Sequence, residues 1–269
     1  MKRSRYLTTA KLLRWLAGMV AVAVSAALAT PGTASATEYF QNNTTVAGFA
    51  SSRVSGEPLA EVEASWHVPA VLDCSLGDYA LTAVWVGLSG ASDPEHFSDS
   101  WLPQVGTDSR CTGSAFNNTH YAAVWELYNS TMDTGEQTFG MTISPGDLVH
   151  AWVLKYGQSS DGSQFFMLSL TRTDAHGNTE TDQQPVATSR NVDLSKAATY
   201  GWSVVETKSE KGLAKFDAFD ITNFLVSPAP FPPGLNTYVF KLVNSNDQPL
   251  AETTQTSGTS WRVTWKARD

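Results

Sequence analysis

Charge and cysteine are both scarce in this 269-residue chain, and so is any helical rhythm. Only 16% of the residues are charged, and 18 Lys and Arg stand against 26 Asp and Glu. A deficit of positive charge argues against a nucleic acid or an anionic membrane surface as partner, because both would be repelled. No Gly-x-Ser-x-Gly elbow is present, which argues against a Ser-His-Asp hydrolase, and no glycine loop is built to cradle a phosphate. His67, His96, His120, His150 and His176 show no paired ligand spacing, so neither a metal nor any other cofactor is expected. The only long hydrophobic run is at the start.

That run defines an export signal over residues 1–36. Lys2, Arg3, Arg5, Lys11 and Arg14 precede the apolar stretch Trp15 to Ala29, and Ala34-Ser-Ala36 supplies the small residues of a cleavage site. The stretch falls short of the ~20 apolar residues that a membrane span needs, so no membrane association is expected once it is removed. A secreted, extracellular protein beginning near Thr37 is expected. Removing the five basic residues of the signal from the 18 in the chain leaves 13 against 26 acidic ones. Such a surface leans toward acid conditions, where protonation relieves self-repulsion. In an oxidising compartment Cys74 and Cys111 are expected to form a disulfide that staples the intervening loop.

Elsewhere the dominant period is two. Glu61 to Val68, Ala80 to Leu88, Tyr121 to Tyr128, Leu148 to Tyr156, Gln164 to Thr171, Thr199 to Glu206, Thr237 to Val243 and Ser260 to Lys266 read as short strands rich in Val, Thr, Trp, Tyr and Phe. Ser144-Pro-Gly146, His176-Gly-Asn178, Pro232-Pro-Gly234 and Asn246-Asp-Gln-Pro249 read as turns, and Gly157 to Ser163 as a hairpin turn. An all-β fold follows, an antiparallel β-sandwich. With no linker in view, residues 46–269 are expected to form one domain, preceded by a short N-terminal or propeptide-like segment over 37–45. Parity places Ala122, Val124, Glu126 and Tyr128 on one face of their strand and Tyr121, Ala123, Trp125 and Leu127 on the other. Gln104 and Asp108 share a face if their segment is regular, although Gly106 invites a bulge.

Several segments in fixed order are specific as a set: Val46-Ala-Gly-Phe49, Trp66-His-Val-Pro-Ala-Val71, Trp85-Val-Gly-Leu-Ser-Gly90, Gln104-Val-Gly-Thr-Asp108, Tyr121 to Tyr128, Gly201 to Glu206, and Gly258-Thr-Ser-Trp-Arg-Val-Thr-Trp265. Through them the chain resembles the glutamic peptidases, the G1 or eqolisin family, especially its bacterial members. The resemblance implies a two-sheet, lectin-like sandwich that acts as an acid endopeptidase on protein or peptide substrates. Gln104 and Glu206 stand where the family has its catalytic pair. Trp85, Asp108 and Glu126 match further positions that line the cleft and bind substrate. A monomer is expected.

The chemistry suits those residue types. An ionised carboxylate can take a proton from water, and an amide can donate to the oxyanion of a tetrahedral intermediate, so neither a nucleophilic side chain nor a metal is required. An amide keeps its donor at any pH, and a carboxylate with an ordinary pKa near ~4 still acts as a base in mild acid. Departures from the family pattern fall at Val46, Ser89 and Val124, in the cleft wall, and the insertion Asp93 to Ser100 reshapes one rim. Asp133-Thr-Gly135, the tripeptide of pepsin-like proteases, occurs once and reads as a polar turn. A carbohydrate-active enzyme using Glu126 and Glu206, or a catalytically silent binding module, are the alternatives that the same architecture would accommodate.

Overall fold

The computed structural model describes residues 38–43, 45–53, 59–74, 81–89, 101–111, 119–128, 135–188, 200–206, 213–227 and 235–266. The export signal, the insertion at 93–100 with His96, Asp133 and Thr134, and the turn at 232–234 lie outside the described residues. Residues 34–269 form one compact unit. Among the described residues there is no helix, and every element is a strand.

In chain order the strands are β1 (Glu38–Asn43), β2 (Val46–Arg53), β3 (Glu61–His67), β4 (Val71–Asp73), β5 (Leu81–Ser89), β6 (Leu102–Cys111), β7 (Thr119–Tyr128), β8 (Gln137–Thr142), β9 (Leu148–Gln158), β10 (Gln164–Thr173), β11 (Thr179–Ala187), β12 (Tyr200–Glu206), β13 (Lys215–Phe216), β14 (Phe219–Ser227), β15 (Leu235–Val243), β16 (Pro249–Ser257) and β17 (Ser260–Trp265). Hydrogen bonds link them in the order β11-β10-β9-β3-β14-β17-β16-β15-β2-β12-β5-β6-β7-β8, with β13 and β4 paired separately. The two layers of the sandwich are therefore one ladder folded over: β10 lies against β6, β9 against β5 and β6, and β3 against β5 and β12. All but one pairing is antiparallel. The exception is β1, which runs parallel to β15 and draws the segment 38–43 into the sheet.

Alternation explains why the layers stack. Val62, Ala64 and Trp66 of β3, Val149, Ala151 and Val153 of β9, and Leu168 and Leu170 of β10 point inward. They meet Phe49 of β2, Val84, Val86 and Leu88 of β5, Val105 of β6 and Val205 of β12. Burying such side chains drives the stacking, at about 1.5–3 kcal/mol for each large one. The outermost strands β8 and β11 lie against each other, and the Gly140 amide of β8 donates to Asp182 Oδ2 of β11 at 3.3 Å. That contact covers part of two edges that would otherwise be free to pair with another chain.

The expected turns at 144–146 and 176–178 lie between strands, and the one expected over 246–249 runs into the first residue of β16, Pro249. At the first, the Ser144 amide donates to Asp147 Oδ2 at 2.9 Å. Cys74 and Cys111 are joined, with their Cα atoms 5.5 Å apart, so the segment after β4 is pinned to the end of β6.

At Gly106 the segment is regular, without the bulge that a glycine there invites, and Gln104 and Asp108 share a face. β6 pairs with both β5 and β7 without a register shift. The glycine instead serves close approach, because a Cβ there would lie 1.9 Å from the Val84 carbonyl oxygen. Gly106→Ala is therefore expected to push β6 off β5 and destabilise the fold by about 1–3 kcal/mol, read as a lower urea midpoint at unchanged slope. The paired change Cys74→Ala and Cys111→Ala is expected to cost about 2–5 kcal/mol in the same titration; an unchanged midpoint would show that the loop is held by its packing alone.

Candidate active site

Four adjacent strands carry the residues singled out from the sequence: Glu206 on β12, Trp85 on β5, Gln104 and Asp108 on β6, and Glu126 on β7. On each strand the neighbours of these residues fill the inter-layer core, so the residues themselves face the other way. Val84 and Val86 flank Trp85 in the core, Val105 follows Gln104, Trp125 precedes Glu126 and Val205 precedes Glu206. The opposite face has its own apolar cluster, including Ala83, Trp85, Ala122, Val124, Trp202 and Val204. The parity expected for Tyr121 to Tyr128 holds, with Val124 and Tyr128 in that cluster and Tyr121 and Trp125 against the core. Val46 belongs to the outer-face cluster as well.

Register then sets who stands beside whom. Trp202, Gly87, Gln104 and Glu126 lie abreast; Val204, Trp85, Gly106 and Val124 form the next row; Glu206, Ala83, Asp108 and Ala122 form the third. Gln104 and Glu206 are thus two strands and two rows apart. Each row is two residues on from the last, so on an ideal flat sheet, with strands ~4.8 Å apart and ~3.3 Å per residue, that diagonal is about 16 Å between Cα atoms. The two side chains do not close that span between themselves, and it is a substrate group lying across the middle row that would join them.

Of the polar groups on this face, Gln104 and Asp108 are buried and Glu126 and Glu206 half-buried. Gln104 is 4% exposed and Asp108 1%. The Gln104 amide is oriented by Glu126, its Nε2 donating to Oε2 at 2.5 Å. Asp108 Oδ2 accepts from Arg110 Nε at 2.7 Å and also from Nη2, which in turn reaches Glu136 Oε1. Burial works against the Arg110 charge, but Asp108 and Glu136 outweigh it and push the guanidinium above its ordinary value. Three buried atoms, Gln104 Oε1, Asp108 Oδ1 and Trp85 Nε1, have no hydrogen-bond partner among the described residues. Since a buried polar atom without a partner is costly, their gathering on one face fits a surface that is completed by water or a ligand. Among the described residues no three His, Cys, Asp or Glu side chains gather as metal ligands.

Three participants escaped the sequence reading. The Trp202 indole lies across Gly87, where a Cβ would come within 2.8 Å of it, and so borders Gln104 on the side opposite Glu126. Gly87 is the only hint of this in the sequence. Arg110 and Glu136 form the charged brace around Asp108, and nothing in their local pattern marked them. Behind the site, Trp66 Nε1 donates to Thr107 Oγ1 at 3.1 Å, which ties β6 between its two functional positions to the facing layer.

Comparison with known proteins bears on the fold and the family. No curated protein matches the chain. Among solved structures, one similar fold is scytalido-glutamic peptidase with a peptide-based transition-state analogue, with a TM-score of 0.57 at 19% identity, covering 83% of this chain and 100% of that one. Another is SCP-B, a member of the eqolisin family of peptidases bound to the tripeptide Ala-Ile-His, with a TM-score of 0.53 at 17% identity, covering 83% and 99%. At such identities these likenesses establish the β-sandwich. The Peptidase A4 family matches residues 20–265. The chain therefore belongs to the peptidase A4 family, the G1 peptidases that its ordered motifs resemble, and is a glutamic endopeptidase.

Proposed function

We propose that this peptidase is exported, works in acid, and cleaves with Gln104 and Glu206 around an activated water. The observation that carries the reading is the shared outward face of β12, β5, β6 and β7, with the Gln104 amide held at one hydrogen by Glu126 and its second hydrogen left for substrate.

Glu206, ionised, accepts a proton from water as the water oxygen bonds to the scissile carbonyl carbon. The carbonyl oxygen becomes an oxyanion, and Gln104 Nε2 donates to it. The proton on Glu206 passes to the leaving nitrogen, the C–N bond breaks, and the carboxylate is regenerated. Trp85 forms an apolar wall between the two catalytic rows, Glu126 fixes the amide, and Asp108 offers its buried oxygen to the substrate. In this reading the mature chain acts as a soluble monomer on proteins or peptides, with the export signal as its only membrane-seeking segment.

Cleavage of a denatured protein between about pH 2 and 7, with pepstatin present, tests the reading. Activity is expected on the acid side and resistant to pepstatin. Gln104→Ala is expected to lower kcat by about 10²- to 10³-fold, and Glu206→Gln to abolish turnover. Glu126→Ala, which releases the amide, is expected to lower kcat by up to about 10²-fold. Activity indifferent to Gln104 and Glu206 would remove the pair from the mechanism.

A further inference from the structure

Asp108 is bound on one side only. Its two carboxylate oxygens have different fates: Oδ2 takes both the Nε and the Nη2 donors of Arg110, while Oδ1, equally buried, has no partner among the described residues. Arg110 lies two residues further along β6, on the same outward face, and its own position is set from outside the strand by Glu136, the residue before β8. The register puts His120 of β7 and Leu81 of β5 beside Arg110, so the titratable groups facing the guanidinium are Asp108, Glu136 and His120, with Glu206 in the adjoining row.

We propose that Arg110 is a positioning residue for substrate binding: by clamping one oxygen of Asp108 it aims the other at a main-chain N–H of an extended peptide in the cleft. A guanidinium suits this task. Its Nε and Nη2 donors converge on one carboxylate oxygen and anchor it while leaving the other open, and it stays charged at any pH at which the enzyme works, which the raised pKa of Arg110 reinforces. A main-chain N–H is the fitting partner, because every residue of a substrate except proline supplies one and an ionised oxygen accepts without demanding a side chain. The inference rests on the peptidase reading above and adds to it the residue that orients Asp108.

The test is a double-mutant cycle read as KM and kcat separately. Arg110→Met is expected to raise KM by on the order of 10- to 100-fold with kcat nearly unchanged, as for loss of a charge-assisted bond made equally in substrate and transition state. Arg110→Lys, which keeps the charge but not the fork, is expected to restore part of the loss. In an Asp108→Asn background Arg110→Met should change KM little further. Substrates in which single amide N–H groups are replaced by ester oxygens identify the donor: one position should be discriminated by the native enzyme and by neither Asp108→Asn nor Arg110→Met.

Additive losses in the cycle, equal falls in kcat, or a flat response across the ester series would overturn the proposal, and a loss confined to thermal stability would mark Arg110 as a structural brace only. Should Arg110→Met fail to fold, Arg110→Lys and the ester series decide. Gln104→Ala separates the two readings: if it keeps full activity the peptidase mechanism fails, whereas activity that needs Gln104 but shows no Arg110–Asp108 coupling sinks this inference alone.

Discussion

Unbroken register across β12, β5, β6 and β7 is the constraint on which the site depends. In a sheet the side chains alternate with a period of two, so a slip of one residue in β6 would turn Gln104 and Asp108 into the inter-layer core and Val105 out of it. The slip is prevented from three directions. Val105 and its neighbours are buried against the facing layer, Trp66 holds Thr107 from behind, and Gly106 lets β6 approach β5 more closely than any other residue would allow. The catalytic face is thus specified by the residues that point away from it.

A second consequence concerns cost. Carboxylates and an amide on a largely apolar face lose hydration, and they are tolerable only when bonded. Glu126 does this for Gln104, and Arg110 with Glu136 does it for one side of Asp108. What is left unsatisfied on this face, Gln104 Oε1, Asp108 Oδ1 and Trp85 Nε1, lies in the three rows that carry the proposed cleft. The face is therefore prepaid on one side and incomplete on the other, which is the condition for an environment fixed before the reaction begins.

Much of the fold could be read from the chain and some could not. Strands with a clear alternation of large apolar residues, such as Glu61–His67, Leu148–Gln158 and Gln164–Thr173, stood within two residues of their expected limits. β11, Thr-Glu-Thr-Asp-Gln-Gln-Pro-Val-Ala, and β8 were not expected, because edge strands present polar residues and even a proline in place of an apolar stripe. β2 and β16 were hidden by their serines and threonines, and β1 by its place beside the export signal. The regularity of β6 stays open in the sequence because a glycine within a strand pattern has two meanings, a bulge or a close approach, and only the neighbouring strand decides between them. The site divides similarly. Parity on β7 and β12 could be derived from the sequence, and the choice of Gln104 and Glu206 came from family resemblance. The adjacency of Trp202 to Gln104, and of Glu136 to Arg110, depends on pairings between strands far apart in the chain.

A glutamine and a glutamate on non-neighbouring strands can act together only if one substrate group reaches both. The most direct measurement is a crystal structure of the mature protein with a peptide carrying a tetrahedral phosphinic group in place of the scissile bond. The account expects one phosphinic oxygen about 3 Å from Gln104 Nε2 and the other hydrogen-bonded to Glu206, with Glu126 still holding the amide. A tetrahedral group bound elsewhere on the sandwich, or one that reaches Gln104 without Glu206, would contradict it.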